Sequence, residues 1–381
     1  MGISPLRLLP LSALFFACNG GAASGTTQAS TIDPASGAES SPAPRPPEAP
    51  PTVVAPPDTP DAGCVDPSAV VTPMQGAVLS PEFAGRYAAF DLGSIPGVPG
   101  ARGQSLGAVY VNADEPSALY VVGSSENEKA ALYRIAIKRD ACRHIVGYDG
   151  VAQRIASMPF ADANIVLSPL GWIYPMTPMA HLGHLPIGGA PAASDLTKLG
   201  VPGPFTEKVG NPGSTATGLA VVPAAFATAG ELVASTYPNG DFFHITTTLA
   251  GGTITATAVS KRTTVPNGPG GIAYVPEGSP GFAAASMVVT EWFIGTWDPS
   301  LDDAPDGAPQ GVAAYEVDAA GDPKPETRRP FFTQFPRPWG AFFEPITGDF
   351  LFATWRGTSA QADRIVAVRG FAVPPRPPAP K

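Results

Sequence analysis

Short apolar stretches alternate with small or polar residues along residues 87–371, and each stretch is bounded by Gly, Pro, Asn or Asp. One phrase recurs five times: a Gly or an Asn, four mostly apolar residues, and then a Pro or an Asn. Short strands that repeat at intervals of this length are typical of a β-propeller. The copies start 53 to 69 residues apart, at Gly107, Asn164, Gly218, Gly271 and Gly340.

The recurring phrase predicts the innermost strand of each blade. Small residues such as Gly let backbones approach where the blades crowd together, and the closing Pro or Asn ends the strand in a turn. A second strand follows in every repeat, and a third follows in four of them. In the second repeat, residues 176–199 contain no clear third strand, so we expect an irregular blade there.

The pattern predicts an all-β fold with a single β-propeller of five or six blades. Helical apolar periodicity longer than two turns is almost absent. Five phrases indicate five blades, whereas the long interval between Pro276 and Gly340 leaves room for a sixth. A further strand, residues 87–92, precedes the first phrase. We expect it to complete the last blade, which joins the chain ends and covers an open edge.

The first residues predict export. Residues 8–17 are almost wholly apolar, follow a single early positive charge at Arg7 and precede Cys18. This segment is shorter than the about 20 residues that a membrane-spanning helix needs, so it predicts a signal peptide. Ala17 directly before Cys18 resembles a bacterial lipoprotein signal, in which the cysteine is lipidated, although Phe15 stands where such signals usually have Leu. Ordinary signal cleavage is the alternative.

Composition divides the chain into four parts. Residues 1–18 are the predicted lipoprotein-type signal, and residues 19–60 are rich in Pro, Ala and Ser. A tract of that kind cannot bury apolar area, so we expect a disordered, extended tether. Residues 61–372 form the predicted propeller domain with an N-terminal lead-in, and residues 373–381 form a Pro-rich tail that we also expect to be disordered.

Three cysteines are an odd number, which is awkward in an oxidising compartment. If Cys18 carries lipid, Cys64 and Cys142 remain as one pair. Export permits a disulfide between them. We therefore predict lipidation at Cys18 and a bridge from Cys64 to Cys142.

The charge balance argues against nucleic acid as a partner. The chain carries 23 basic and 32 acidic residues, for a net charge of −9, and it has no sizeable basic cluster. Nucleic-acid binding depends on such clusters to neutralise phosphates. The expected partner is therefore a protein or a carbohydrate at the cell envelope, and contact with the membrane would be made through the lipid anchor.

Four stretches of the chain, at residues 91–99, 271–280, 315–322 and 347–353, resemble exported bacterial β-propellers that lack an assigned activity and often carry a PEP-CTERM sorting tail. The resemblance covers most of residues 87–371 and extends more distantly to NHL and SMP-30/gluconolactonase-like propellers. The sorting helix of those relatives is missing here, and lipid at Cys18 would be another means of retention.

The gluconolactonase-like resemblance implies a divalent cation at the mouth of the central channel. Oxygen ligands suit calcium, and a metal-bound water or a general base would open a lactone. Asp162, Asn267 and Glu291 supply suitable side chains from three repeats. Solvated turn residues are the alternative interpretation, and no ligand role can be aligned to the family motif.

In a propeller, loops from outer to inner strands and from second to third strands share one face, where ligands usually bind. His181 and His184 form a close pair, but Gly183 and nearby prolines predict an ordinary loop rather than a metal site. Aromatic side chains in such loops either stack on a ligand or pack between blades. The candidates for this face are His181, His184, Asn239, Trp292, Trp339, Trp355 and Arg356.

Two functions are compatible with these patterns. The first is an exported, lipid-anchored propeller that acts as a binding or scaffolding module at the cell envelope, with no cofactor and no recognisable catalytic group. The alternative is a divalent-metal-dependent hydrolase or lactonase of the SMP-30/gluconolactonase-like type. Oxygen ligands converging at the channel mouth would favour the enzyme.

Overall fold

The computed structural model describes residues 71–99, 106–206, 213–295, 310–355 and 363–375. The predicted signal and tether, together with Cys18, Cys64 and Arg356, lie outside these ranges. Within them, no helix has the length and apolarity that a membrane span requires. The described helices are two short 3-10 turns, Leu196–Leu199 and Pro325–Thr327.

The described strands group into a lead-in and five blades. The lead-in contains β1 (Thr72–Pro73), β2 (Val78–Leu79) and β3 (Ala88–Gly93). Blade 1 contains β4 (Val109–Tyr110), β5 (Ala118–Gly123), β6 (Ala131–Arg139) and β7 (Ile145–Ser157). Blade 2 contains β8 (Val166–Ser168), β9 (Gly171–Met176), β10 (His181–Pro186) and β11 (Ala192–Asp195).

The last three blades follow the same order from the inside outwards. Blade 3 contains β12 (Thr215–Val221), β13 (Leu232–Tyr237), β14 (Asp241–Ala250) and β15 (Thr253–Thr264). Blade 4 contains β16 (Pro269–Tyr274), β17 (Ser286–Glu291), β18 (Gly311–Glu316) and β19 (Arg329–Gln334). Blade 5 begins with β20 (Pro338–Phe343), β21 (Phe350–Thr354) and β22 (Ile365–Arg369).

The lead-in closes the ring. Strand β3 pairs antiparallel with β22 and so supplies the fourth strand of blade 5, which confirms the prediction that the N-terminal strand completes the last blade. Strand β1 then pairs with β3, and β2 pairs with β19 of blade 4. Two neighbouring blades therefore each gain a fifth strand from the lead-in. The described sheets number five, so the prediction of five or six blades resolves to five.

The second repeat is more regular than its sequence suggests. The prediction that residues 176–199 lack a third strand was wrong, because β10 and β11 lie within them and pair antiparallel. Gly183 weakens the strand pattern in the sequence, but the structure requires a glycine at this position because no side chain would fit. A Cβ there would lie 2.4 Å from the ring of Tyr174, which packs against the glycine. A glycine that accommodates a neighbouring side chain looks like a turn residue in the sequence.

The inner strands crowd the propeller axis, as the recurring phrase predicts. A Cβ added at Gly340 would lie 2.2 Å from the carbonyl oxygen of Gly107 in the next blade. A Cβ at Gly271 would lie 2.5 Å from the carbonyl oxygen of Trp339. Since no side chain fits at these distances, glycine at the start of the phrase sets how closely the blades approach.

Asn164 stands where the other four phrases have glycine, and its buried side chain joins the inner strands. Its Oδ1 accepts hydrogen bonds from the backbone N–H groups of Leu219 (3.2 Å) and Ile272 (3.0 Å). Its Nδ2 donates to the carbonyl oxygen of Ala341 at 2.7 Å. These partners belong to blades 3, 4 and 5, so one amide connects four blades.

Candidate functional site

We call the upper face the end of the propeller where loops between second and third strands meet loops between outer and inner strands. These loops share one end because the four strands of each blade run antiparallel in sequence order. The candidate residues predicted from the sequence were chosen from these loops.

Backbone strain concentrates at the upper face. Among the described residues, eight other than glycine have a positive φ, in the left-handed region that L-residues disfavour. Arg143 lies at the opposite end, between β6 and β7. Strained positions persist only where the surrounding structure enforces them, and they cluster at functional sites. The seven at the upper face are Ser124, Glu126, Phe160, Ala180, Asn267, Arg337 and Asp363.

Asp162 lies at the upper face, in the loop between β7 and β8, and is fully buried. Trp339 Nε1 of blade 5 donates a hydrogen bond to its Oδ1 at 2.5 Å. Thr177 Oγ1 of blade 2 donates to its Oδ2 at 2.5 Å. The carboxyl group of Glu126, in the β5–β6 loop of blade 1, also hydrogen-bonds Asp162. The carboxyl group of Asp162 thus ties together three blades.

Burial controls the protonation of two acids at this face. Desolvation raises the pKa of Asp162 to about 7, and the hydrogen bonds from Thr177 and Trp339 offset only part of that effect. Desolvation also raises the pKa of Asp363 to about 6, against an opposing hydrogen bond from the Leu106 backbone N–H. Both acids therefore change charge closer to neutral pH than an exposed aspartate does.

Three tryptophans pack together beside Asp162, and one of them, Trp339, is hydrogen-bonded to it. Trp339 stacks on Trp355 with ring centroids 5.1 Å apart, and Trp292 meets both rings edge-on. The guanidinium of Arg337 lies 5.7 Å above the Trp292 ring. All three rings are buried, so they pack between blades, one of the two alternatives that the sequence left open. We call this group, with Tyr237 and Phe293, the aromatic cap.

The suggested calcium ligands do not fit a cation. Arg328 holds both carboxylate oxygens of Glu291, with Nε to Oε1 at 2.8 Å and Nη2 to Oε2 at 2.5 Å. Asn267 Nδ2 and the Tyr315 hydroxyl also donate to Oε1. The two carboxyl oxygens of Asp162 already accept hydrogen bonds from Trp339 and Thr177. In the part of the chain that the structure describes, no three His, Cys, Asp or Glu side chains form a group suited to a metal.

The two histidines lie on strand β10, which corrects the prediction of a loop. Residues three apart on a strand point to opposite faces, so the side chains of His181 and His184 diverge. His181 Nε2 lies 3.5 Å from Asp195 Oδ1. His184 Nδ1 accepts a hydrogen bond from the Ile254 N–H of blade 3, and burial lowers the pKa of its imidazole. His184 therefore joins blades 2 and 3.

The remaining candidate, Asn239, is exposed in the turn between β13 and β14. Three residues that organise the mouth were not among the predicted site residues: Glu126, Asn164 and Arg328. For Asn164 a signal existed, since it breaks a phrase that otherwise begins with glycine. For Arg328, which lies 37 residues from Glu291, no local pattern indicates the contact.

No protein-family model matches the chain, and no curated protein matches it. Similar solved structures include a provisionally named 6-phosphogluconolactonase from Bacteroides uniformis, with a TM-score of 0.40 and 11% identity over 73% of this chain and 87% of that chain. A soluble aldose sugar dehydrogenase from Escherichia coli has a TM-score of 0.37 and 10% identity over 79% of this chain and 99% of that one.

A virginiamycin B lyase from Staphylococcus aureus has a TM-score of 0.34 and 13% identity, over 78% of this chain and 98% of that one. Identities and scores this low carry no argument about activity. The β-propeller assignment rests on the strand pairing described above, and it agrees with the propeller part of the resemblance found in the sequence.

Proposed function

We propose that the protein is an exported β-propeller, held at the cell envelope by lipid on Cys18, and that it acts as a binding or scaffolding module. Its ligand, a protein or a carbohydrate of the envelope, contacts the loops of the upper face. The observation that carries this proposal is the concentration of strained residues there, seven of the eight described.

The hydrogen bonds and ion pairs among the buried side chains beneath the upper face support a binding role. Asp162, Glu291 and Asn164 all use their polar atoms to hold neighbouring segments together, and the three tryptophans of the aromatic cap are buried. Side chains held by such contacts make the interior beneath the upper-face loops rigid. A rigid base lowers the entropy that a binding surface loses when a ligand orders it.

The loops above this base carry exposed polar side chains. Glu128 and Lys129 are exposed in the β5–β6 loop, and Asn239 is exposed between β13 and β14. Ligand contact by loops on a rigid scaffold is a common arrangement. These three side chains are therefore the first positions at which a partner should be sought.

Site-specific photocrosslinking in cells that export the full chain tests the proposal. A photoreactive amino acid would replace Lys129 or Asn239 at the upper face, and Glu277 or Asp318, which are exposed at the opposite end, would serve as matched controls. We expect discrete crosslinked species from the upper positions only. Equal crosslinking from both ends, or none from the upper face, would contradict the proposal.

A hydrolase or lactonase is the second candidate, and one observation favours it. Burial raises the pKa of Asp162 to about 7, although hydrogen bonds from Thr177, Trp339 and Glu126 oppose the shift, and this value is suited to acid–base catalysis. Asp162 is fully buried, so the half-buried Glu126 would be the carboxyl group that faces a substrate.

Hydrolysis of a lactone panel, with calcium and with chelator, tests this second candidate. The calcium fit described above is poor, so we expect calcium to leave the melting temperature unchanged. Calcium-dependent hydrolysis, with a stabilisation that Glu291→Ala or Asp162→Ala abolishes, would favour the enzyme over the binding module.

A further inference from the structure

We propose that the ring of His244 is held as an imidazolium cation between two carboxylates, where it helps to fasten the β18–β19 loop of blade 4 to blade 3, and that loss of the ring proton frees Glu231 and weakens this fastening. We call the group of Glu231, His244, Asp322 and Arg262 the histidine clasp. It lies at the end of the propeller opposite the upper face, so it is independent of what that face binds.

Both ring nitrogens of His244 face carboxylate oxygens. Nδ1 lies 2.7 Å from Glu231 Oε2, and Nε2 lies 2.6 Å from Asp322 Oδ1. An ionised carboxylate only accepts hydrogen bonds, so each nitrogen must carry a proton, and only the imidazolium form carries two. The neutral ring has a single N–H, and its other nitrogen would place a lone pair against a carboxylate. The geometry therefore requires the charged ring.

Asp322 forms the contact between the two blades. Its side chain is 8% exposed, and it lies 78 residues from His244 along the chain. Arg262 of β15 donates from Nε to Asp322 Oδ2 at 2.8 Å, while the His244 ring donates to Oδ1. A buried carboxylate with a cation on each oxygen is well compensated, so Asp322 stays in place.

The turn between β12 and β13 of blade 3 makes two further contacts with the same loop of blade 4. The Ala227 N–H donates to the carbonyl oxygen of Ala319 at 2.9 Å, and the Thr228 hydroxyl donates to the carbonyl oxygen of Ala320 at 2.6 Å. These contacts contain no titratable group. Among the contacts described here, a change of pH therefore acts on the fastening through the clasp.

Glu231 is the partner that a neutral ring loses. Its side chain is 41% exposed, against 8% for Asp322, so its charge can turn to water at little cost. The ring then keeps its proton on Nε2 for Asp322, but the bond no longer joins two charges, and charge-assisted bonds are the stronger kind. The stabilisation is therefore present at low pH and is lost as the ring gives up its proton.

The other ionisable groups of this region come from four elements. The hydrogen bond from Arg262 to Asp322 raises the pKa of the guanidinium, which stays charged. Burial raises the pKa of Tyr274 well above its usual value, so its hydroxyl stays neutral. Imidazole is the group type whose ordinary range lies near neutral pH. The groups are Glu231 before β13, Lys261 and Arg262 on β15, Tyr274 on β16, and Asp318 and Asp322 in the β18–β19 loop.

Hydrogen exchange of the Ala227 amide tests the clasp, because this N–H bonds directly to blade 4. It would be followed by NMR in the full chain and corrected for the intrinsic effect of pH. We expect the wild type to lose about tenfold or more of its protection between about pH 5.5 and about pH 9, a range that spans ordinary imidazole titration.

Glu231→Gln separates the clasp from a general effect of pH. The glutamine amide accepts from an imidazolium and donates to Nδ1 of a neutral ring, so the protection of Ala227 should change by about threefold or less over the same range. Glu277→Gln, at an exposed position of the same end, is the matched control and should follow the wild type. Because the Glu231 side chain is 41% exposed, the variant should fold.

The ¹⁵N resonances of the His244 ring give a second measurement. At about pH 5.5 both nitrogens should be protonated, and at about pH 9 the remaining proton should be on Nε2, towards Asp322. Three results would overturn the proposal: wild-type protection of Ala227 that does not depend on pH, an equal loss of protection in Glu231→Gln, or a neutral ring with its proton on Nδ1.

Discussion

The side-chain amide of Asn164 donates a hydrogen bond to the carbonyl oxygen of Ala341, 2.7 Å away and 177 residues later in the chain. The same side chain accepts from the backbone of two further blades. One side-chain amide therefore hydrogen-bonds the backbone of three inner strands. The other four copies of the phrase begin with glycine and offer no side chain at this position.

Replacing Asn164 should destabilise the whole propeller. Asn164→Ala leaves two backbone donors and one carbonyl oxygen without their partner in the interior, at a cost of about 3 kcal/mol in the free energy of unfolding. Urea unfolding followed by circular dichroism measures the change. Asn239→Ala, at an exposed turn, is the matched control and should stay within about 0.5 kcal/mol of the wild type. Equal effects of the two substitutions would contradict the axial role.

Stability should fall as the pH rises towards neutrality. The folded-state pKa of Asp162 is raised to about 7, above an unfolded value of about 3.9, so the folded state binds the proton more tightly. Its contribution is full below about pH 4 and is lost as the pH rises through 7, with a slope of at most about 1.4 kcal/mol per pH unit. Asp363, with a pKa raised to about 6, acts in the same direction.

Unfolding free energies measured from pH 4 to pH 8 check this dependence. Asp162→Asn should flatten the slope, while Asp149→Asn at an exposed position should leave it unchanged. A wild-type stability that rises steadily over this range would show that the burial of the two acids does not control it.

The ion pair between Arg328 and Glu291 should matter more than a surface pair. Glu291 is fully buried, so Arg328→Ala leaves its charge with only neutral donors and should cost about 3 kcal/mol. Arg134→Ala breaks the pair with Glu115, whose side chains are each 34% exposed, and should cost less than about 1 kcal/mol. Chemical unfolding of both variants gives the comparison. A larger loss for Arg134→Ala would invert the expected order.

The predicted bridge between Cys64 and Cys142 is open to direct measurement. Cys142 is buried in the structure, and Cys64 lies outside the described residues. Mass spectrometry of non-reduced tryptic peptides should find the two cysteines in one linked species. Two alkylatable thiols in the native protein would rule out the bridge.

The predicted lipid on Cys18 has its own test. Palmitate labelling of cells should mark the wild type and be lost in Cys18→Ser, because the thiol is the expected site of attachment. Labelling that persists in Cys18→Ser would place the lipid elsewhere and contradict the anchor.

Much of the fold could be predicted from the sequence because blade strands are local. Four of the five phrases begin with glycine and all five end in a turn residue, so the inner strands and the closing strand β3 could be assigned without knowing their neighbours. Blade 2 was assigned incompletely because Gly183 leaves space for the Tyr174 ring of the neighbouring strand. The local sequence pattern does not show this contact between strands.

The site was predicted less well because its contacts are distant in the chain. Asp162 and Trp339 were both candidates, but nothing local joins residues 177 positions apart. The aromatic residues were recognised by type, while their burial depends on how five blades meet. Arg328 turns Glu291 from a candidate ligand into an ion-pair partner, and it comes from a different loop.

Hydroxyl-radical footprinting of the tryptophans tests the central claim, that the three tryptophans of the aromatic cap are packed in the interior. Trp292, Trp339 and Trp355 are buried, while Trp172 is half-buried and serves as an internal reference. We predict that Trp172 is oxidised well before the three cap tryptophans in the native protein, and that all four react alike after unfolding. Native oxidation of Trp339 as fast as that of Trp172 would contradict the buried packing of the aromatic cap.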